Sequence, residues 1–306
     1  MKFDNTQQLI DSYLNKVDFL SVEDVEFFPY EWNRVKEYCF DNCKTTPELY
    51  GLLASIFLYG LGVNPDYLLA KIYCETGIKL GSSSAYFMMG VIHYFGFGVI
   101  TNHEEAVTYY IEAAKRGNWR AKFKLGVCYT VARGVRRDHN KALEYFLDVA
   151  KLGYTQAMFN VGHSLYLQRA EYGNYEECIK WLTLAANNGH ASAMYYLGEA
   201  YTNGNYVEKD LKSGFVWYDK CALAGNNSAY VKLAPFYENG IVVEQNHAKA
   251  FELYTKALVT NDNLAAFKVK EYKQNKCKWC GAFYSKTTVK TLFGEKIICG
   301  VCQKKY

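Results

Sequence analysis

The chain is poor in proline, with four in 306 residues, and poor in long apolar runs. So little proline argues against extended disordered linkers. The longest strongly apolar stretch, residues 51–63, has 13 residues. A membrane-spanning helix is argued only from about 18 upward. The first twenty residues turn polar and acidic at once and hold no apolar signal-peptide core. These absences predict a cytoplasmic protein, with the nucleus as the alternative, that is neither secreted nor membrane-bound. Cysteines stay reduced there, so a C-x2-C pair reads as metal-binding or redox-active before it reads as a disulfide. Catalytic signatures are missing too. There is no H-E-x-x-H, no P-loop, no dinucleotide loop and no local Ser-His-acid set. Three of the six histidines, His103, His139 and His247, share one repeat position and so spread along the chain. The expectation is a protein that is not an enzyme. A site assembled from distant residues in a groove is the weaker alternative.

Half of the residues are apolar and 22% are charged, the balance of a folded chain. The charge is uneven. Residues 264–306 hold ten lysines, two glutamates and no arginine, a net +8, so the preceding 263 residues carry −4 of the total +4. A mildly acidic body ends in a basic tail.

The strongest signal is a period of 36. Gly81, Gly117, Gly153, Gly189 and Gly225 are each 36 residues apart. Four residues after each comes an alanine, and the column runs Ala85, Ala121, Ala157, Ala193, Ala229 and Ala265. Five further on stand Gly90, Gly126, Gly162, Gly198 and Ala234. Asp66, Asn102, Asp138, Asn174, Asp210 and Asn246 form a fourth column. Within Arg120–Gly153, Ala121, Leu125, Gly126 and Tyr129 fall at helical spacing and predict a first helix. A turn at "ARGV" follows, with Gly134 free to take a positive φ. Asp138 is the expected N-cap of a second helix through Ala142, Tyr145, Phe146 and Ala150, and Gly153 its left-handed C-cap. Gly126 and Ala142 let the two backbones approach, while Tyr145 and Phe146 are expected to fill the gap to the next hairpin. One hairpin cannot bury its faces alone, so the copies must stack.

The pattern A-x-x-x-L-G-x-x-Y…G-x-G-V…D-x-x-K-A-x-x-Y, best matched at Ala121–Gly153, resembles the SEL-one-like repeat, a relative of the tetratricopeptide repeat. The resemblance implies an all-α fold, a right-handed α-solenoid superhelix of helical hairpins. It also implies an adaptor or scaffold that holds protein partners in a concave groove. The expected domains are an N-terminal helical cap at 1–45, six repeats and a half-repeat at 46–273, and a small C-terminal module at 274–306. Ser21 reads as a helix cap and Pro29 as punctuation within the first of these. Copy four has Gln168 and Ala170 in place of the turn glycines, and copies five and six keep only the first, which predicts turns of different shape there.

Two residues after the repeat alanine stand Phe87, Phe123, Phe159, Tyr195 and Phe267, with Tyr94 and Tyr166 seven further along their helices. If that side faces the groove, these residues form a partner-binding aromatic ladder. The alternative is core packing between hairpins.

The C-terminal module carries Cys277, Cys280, Cys299 and Cys302 as two C-x2-C pairs with eighteen residues between them. That spacing reads as one zinc site, and an all-cysteine set leaves no open position, so the zinc is structural. The alternation in "TTVKTLFGEKIIC" predicts a small hairpin between the pairs. The segment is similar to a zinc ribbon and, in spacing, to a GATA-type finger, although only four residues follow Cys302, too few for that finger's DNA-reading helix. A nucleic-acid role for the Lys-rich module is the weaker alternative. The remaining cysteines, Cys39, Cys43, Cys74, Cys128, Cys178 and Cys221, read as small buried apolar residues. A metal shared by Cys39 and Cys43 is a lesser reading.

Overall fold

The computed structural model describes residues 29–167, 175–274, 287–291 and 294–298. The cap read at Ser21, the turn of copy four, Asn174 and the four tail cysteines lie outside the described residues. Among the described residues the chain forms fourteen α-helices. They are α1 Pro29–Asn42, α2 Leu49–Tyr59, α3 Tyr67–Lys79, α4 Ser83–Phe95, α5 His103–Lys115, α6 Trp119–Val131 and α7 His139–Ala150. The series continues with α8 Thr155–Leu167, α9 Tyr175–Asn187, α10 Ala191–Asn203, α11 Leu211–Leu223, α12 Ser228–Asn239, α13 His247–Ala257 and α14 Asn263–Gln274. Two strands, β1 Thr287–Thr291 and β2 Gly294–Ile298, pair antiparallel with Thr287 opposite Ile298, where the alternating pattern predicts a hairpin.

The chain divides between Ser164 and Leu165, within α8, into two compact units. In the first, α2/α3, α4/α5 and α6/α7 are antiparallel hairpins, and each first helix packs on the second helix of the hairpin before it. The second unit repeats the arrangement with α10/α11 and α12/α13, and α14 covers α13. The six repeat alanines are fully buried, which leaves no room for a larger side chain where neighbouring helices meet.

The small-residue column has a specific purpose. Rings from the second helix, Tyr110, Phe146 and Tyr218, lie directly over Gly90, Gly126 and Gly198. A Cβ on Gly126 would stand 2.6 Å from the Phe146 ring, closer than real contacts allow. Phe146 therefore packs inside its own hairpin, over Gly126, and does not fill the gap to the next one as the spacing predicts. Missing volume at the glycine is what admits the ring.

The caps follow the period. Asp66, Asn102, Asp138, Asp210 and Asn246 each accept a hydrogen bond from a backbone N–H in the first turn of the next helix. Each is worth about 1 kcal/mol against alanine. Their own amides donate back to the first helix, as Asp138 N–H does to the Tyr129 carbonyl at 3.2 Å and Asp210 N–H to Tyr201 at 2.9 Å. This second set of bonds holds the turn in one shape. In copies five and six, Tyr206 (φ +70°) and Val242 (φ +68°) occupy the left-handed region that Gly98 takes in copy two (φ +67°). The turns there keep the common shape, contrary to the expectation from their missing glycines. The ladder of backbone bonds overrides the preference of the residue.

A second cap column lies three residues before the repeat alanine. Ser82, Asn118, His190 and Asp262 accept from Ala85, Ala121, Ala193 and Ala265 N–H. Helix α4 has a further anion at its start. The Glu48 carboxylate accepts from Ser83 N–H and Ser84 N–H, both at 2.8 Å, and from the Ser82 hydroxyl. Burial pushes the Glu48 pKa up, but the bonds from Ser84, Ser83 and Ser82 outweigh it and hold it below the usual carboxylate range.

Candidate functional site

Helix α4 and the start of the following turn build the most exposed apolar ground on a first helix of the first unit. The α4 sequence is apolar on nearly every side, because α2, α3 and α5 all pack on it. Its last residue, Phe95, is only partly covered and is 53% exposed. The Phe95 ring meets Tyr94 at 4.9 Å and Phe97 at 5.7 Å, and Phe97 in turn meets Tyr67 at 5.6 Å. Tyr94 is half-buried against His103 at 4.8 Å, and its hydroxyl accepts from Arg133 Nη1 at 3.0 Å. Helix α6 contributes Lys124, whose Nζ lies 6.0 Å from the centre of the Phe95 ring. The result is an aromatic surface edged by two cations, Lys124 and Arg133.

The other ladder residues divide between core and surface. Phe87 and Phe123 are buried; their rings meet Tyr110 at 5.7 Å and Phe146 at 5.6 Å. Phe159 is half-buried and stacks on His163 at 5.4 Å. In the second unit Tyr166 meets Tyr206 at 4.8 Å, and its carbonyl accepts from the Tyr206 hydroxyl at 2.7 Å. Tyr195 is half-buried beside Tyr218 at 5.9 Å, with the Lys232 ammonium 5.6 Å from its ring centre. Phe267 is 63% exposed. The position two residues after the repeat alanine is thus buried in copies two and three, half-buried in copies four and five, and exposed at Phe267. Phe95 and Lys124 escaped the sequence reading, although Lys124 shares a repeat position with Lys232 and Lys268, a spacing visible in the chain itself.

A cavity of about 340 Å³ lies between α3, α4 and α5. In it, His93 Nδ1 sits 3.2 Å from the Glu105 carboxylate, and the ring stacks on Tyr109 at 5.4 Å. Lys71, Glu75 and Lys79 complete its polar lining, with no serine, threonine or cysteine to act as a nucleophile. Among the described residues no three metal-binding side chains gather. Cys39, Cys43, Cys74, Cys128, Cys178 and Cys221 are buried thiols. Burial, with Cys43 adding to it, pushes Cys39 up to about 12, and burial pushes Cys178 and Cys221 to about 12 as well. Thiols held this far from ionisation behave as apolar core. No described helix is long and apolar enough to cross a membrane.

The model of the Sel1 repeat matches six successive segments, residues 50–82, 83–118, 119–154, 155–190, 191–226 and 227–258. No curated protein matches the chain. Among solved structures, the fold is similar to that of c5321, a protective antigen of uropathogenic Escherichia coli with an SLR fold, at 23% identity and a TM-score of 0.70. That match covers 80% of this chain and 53% of c5321, so the chain spans about half the length of that relative. It is also similar to a Sel1 repeat protein from Oxalobacter formigenes, at 21% identity and a TM-score of 0.63, over 84% of this chain and 97% of that one. With six matched repeats over most of its length, the chain belongs to the Sel1 repeat family.

Proposed function

We propose that this protein is a non-enzymatic scaffold that binds a protein partner through the first-helix face of its repeats. Sel1 repeat solenoids generally serve as protein-interaction scaffolds. The observation that carries the reading is the aromatic surface at the end of α4, where Phe95 is left 53% exposed beside half-buried Tyr94. Exposed rings held by rigid helices bury much area on binding at little entropic cost. The test compares proteins cross-linked to the wild type and to Phe95→Ser in extracts of its own cells. Partners retained by the wild type and lost by a folded variant are the expected outcome. Identical sets from both would remove this face from the proposal.

The same reading includes a structural zinc in the C-terminal module. Support comes from the donor set, since Cys277, Cys280, Cys299 and Cys302 offer four soft ligands in two C-x2-C turns, the complement of a closed tetrahedral site. The antiparallel pair β1–β2 lies between the two cysteine pairs in the chain. Bound zinc would supply cross-linking and no chemistry.

A further inference from the structure

The repeat itself provides an internal control for the binding face. Lys124, Lys232 and Lys268 each stand three residues after a repeat alanine, on α6, α12 and α14. Two of them are neutralised from the first helix of the preceding repeat. Lys232 Nζ is 2.8 Å from Glu199 Oε1, and Lys268 Nζ is 2.9 Å from Glu238 Oε1. Burial pushes the pKa of both ammonium groups down, and the glutamates outweigh it, so both end above the ordinary lysine value. Glu199 and Glu238 stand six and nine residues after their repeat alanines. At the same two places before Lys124 the chain has Val91 and Tyr94.

Lys124 is therefore the member of its column without an anion. Among the described residues no carboxylate lies within ion-pair distance of it. Its ammonium is half-buried beside the Phe95 ring, and burial lowers its pKa with only the Cys128 thiol opposing. A half-desolvated cation gains more from a carboxylate than an exposed one does, because part of the desolvation is already complete.

We propose that the partner supplies the missing anion: the face takes an acidic peptide segment, with a Glu or Asp carboxylate on Lys124 and a neighbouring apolar side chain on Phe95. This rests on the reading of the first-helix face as a protein-binding surface and names the class of partner. Arg133, exposed and 3.0 Å from the Tyr94 hydroxyl, stands ready for a second acidic residue. A peptide fits better than a nucleic acid. A polyanion needs many cations in register, and the 263 residues that hold this site carry a net −4.

The test is selection of a random peptide library displayed on phage against the full-length protein, wild type and Lys124→Met. The wild type is expected to enrich peptides with Glu or Asp beside an aromatic or aliphatic residue. The highest-ranked peptide, labelled and followed by fluorescence anisotropy, should bind Lys124→Met about tenfold or more weakly. It should bind Lys124→Arg with little loss, and circular dichroism should show both variants folded. Enriched peptides without acidic residues, or equal binding by Lys124→Met, would overturn the inference and leave the protein-binding reading standing. No enrichment of any peptide would sink both. Tighter binding of a labelled single-stranded oligonucleotide than of any peptide, lost in Lys124→Met, would replace the peptide with nucleic acid as the occupant.

Discussion

A glycine and a ring settle most of what each repeat can tolerate. Gly126, like Gly90 and Gly198 at the same repeat position, is a flat spot for the ring of the second helix. Gly126→Ala pushes a methyl into the Phe146 ring, 2.6 Å away, and overpacking of this kind costs about 1–3 kcal/mol. Its unfolding midpoint should drop by several degrees in thermal denaturation; an unchanged midpoint would mean that Phe146 swings aside freely. Val242 points the other way. It is β-branched at φ +68° and 46% exposed, so its strain is offset by little packing. Val242→Gly relieves about 1–3 kcal/mol of strain against about 0.5–1 kcal/mol of added chain entropy. The variant should melt slightly higher than the wild type. The same change at Tyr206 should not stabilise, because that ring packs on Tyr166 and Tyr175 and its hydroxyl bonds a carbonyl.

At the scale of the helix, capping joins one repeat to the next. Glu48 lies in the turn before α2, yet it caps α4, 35 residues later in the chain. Its folded pKa is depressed, so its contribution is present above the unfolded value, about 4.3, and fades as pH falls through the folded one. Glu48→Gln should cost about 1 kcal/mol at neutral pH, in the range of a lost cap. The gap in melting temperature between the two proteins should close as the pH drops below about 4. A gap that persists in acid would show that the carboxylate charge is not what holds α4. The second-helix caps were legible as a column of Asp and Asn, because side-chain oxygen before a helix has one common use. The Glu48 cap was not, since nothing local in the sequence joins residue 48 to residue 83.

For the whole molecule, the period of 36 was enough to anticipate the helices from α2 to α13, and the Sel1 repeat matches the same span. The aromatic ladder was not separable into core and surface from spacing, because burial depends on which neighbour covers each ring. Phe87 and Phe123 are covered, while Phe95, on no ladder, is bare. The tail makes the clearest prediction at this scale. Native mass spectrometry of the full chain should find one zinc, removed by a strong chelator together with part of the near-ultraviolet signal of Trp279. A metal-free chain with Cys277, Cys280, Cys299 and Cys302 oxidised in pairs would replace zinc with a redox role.

Period, caps and turn positions follow from short-range rules: helical spacing, side-chain oxygen at an N-terminus, and glycine at positive φ. Those rules act within one turn of helix, so the amino-acid order alone carries them. Three features needed the packed structure. They are the ring seated on Gly126, the turns of copies five and six kept in shape by backbone bonds despite Tyr206 and Val242, and the anion that Lys124 lacks. Each is a relation between residues some twenty or more apart or between a turn and the helix behind it. Only the packing of hairpin on hairpin sets those distances, and with them whether a charge finds its partner inside the chain or has to meet it on another molecule.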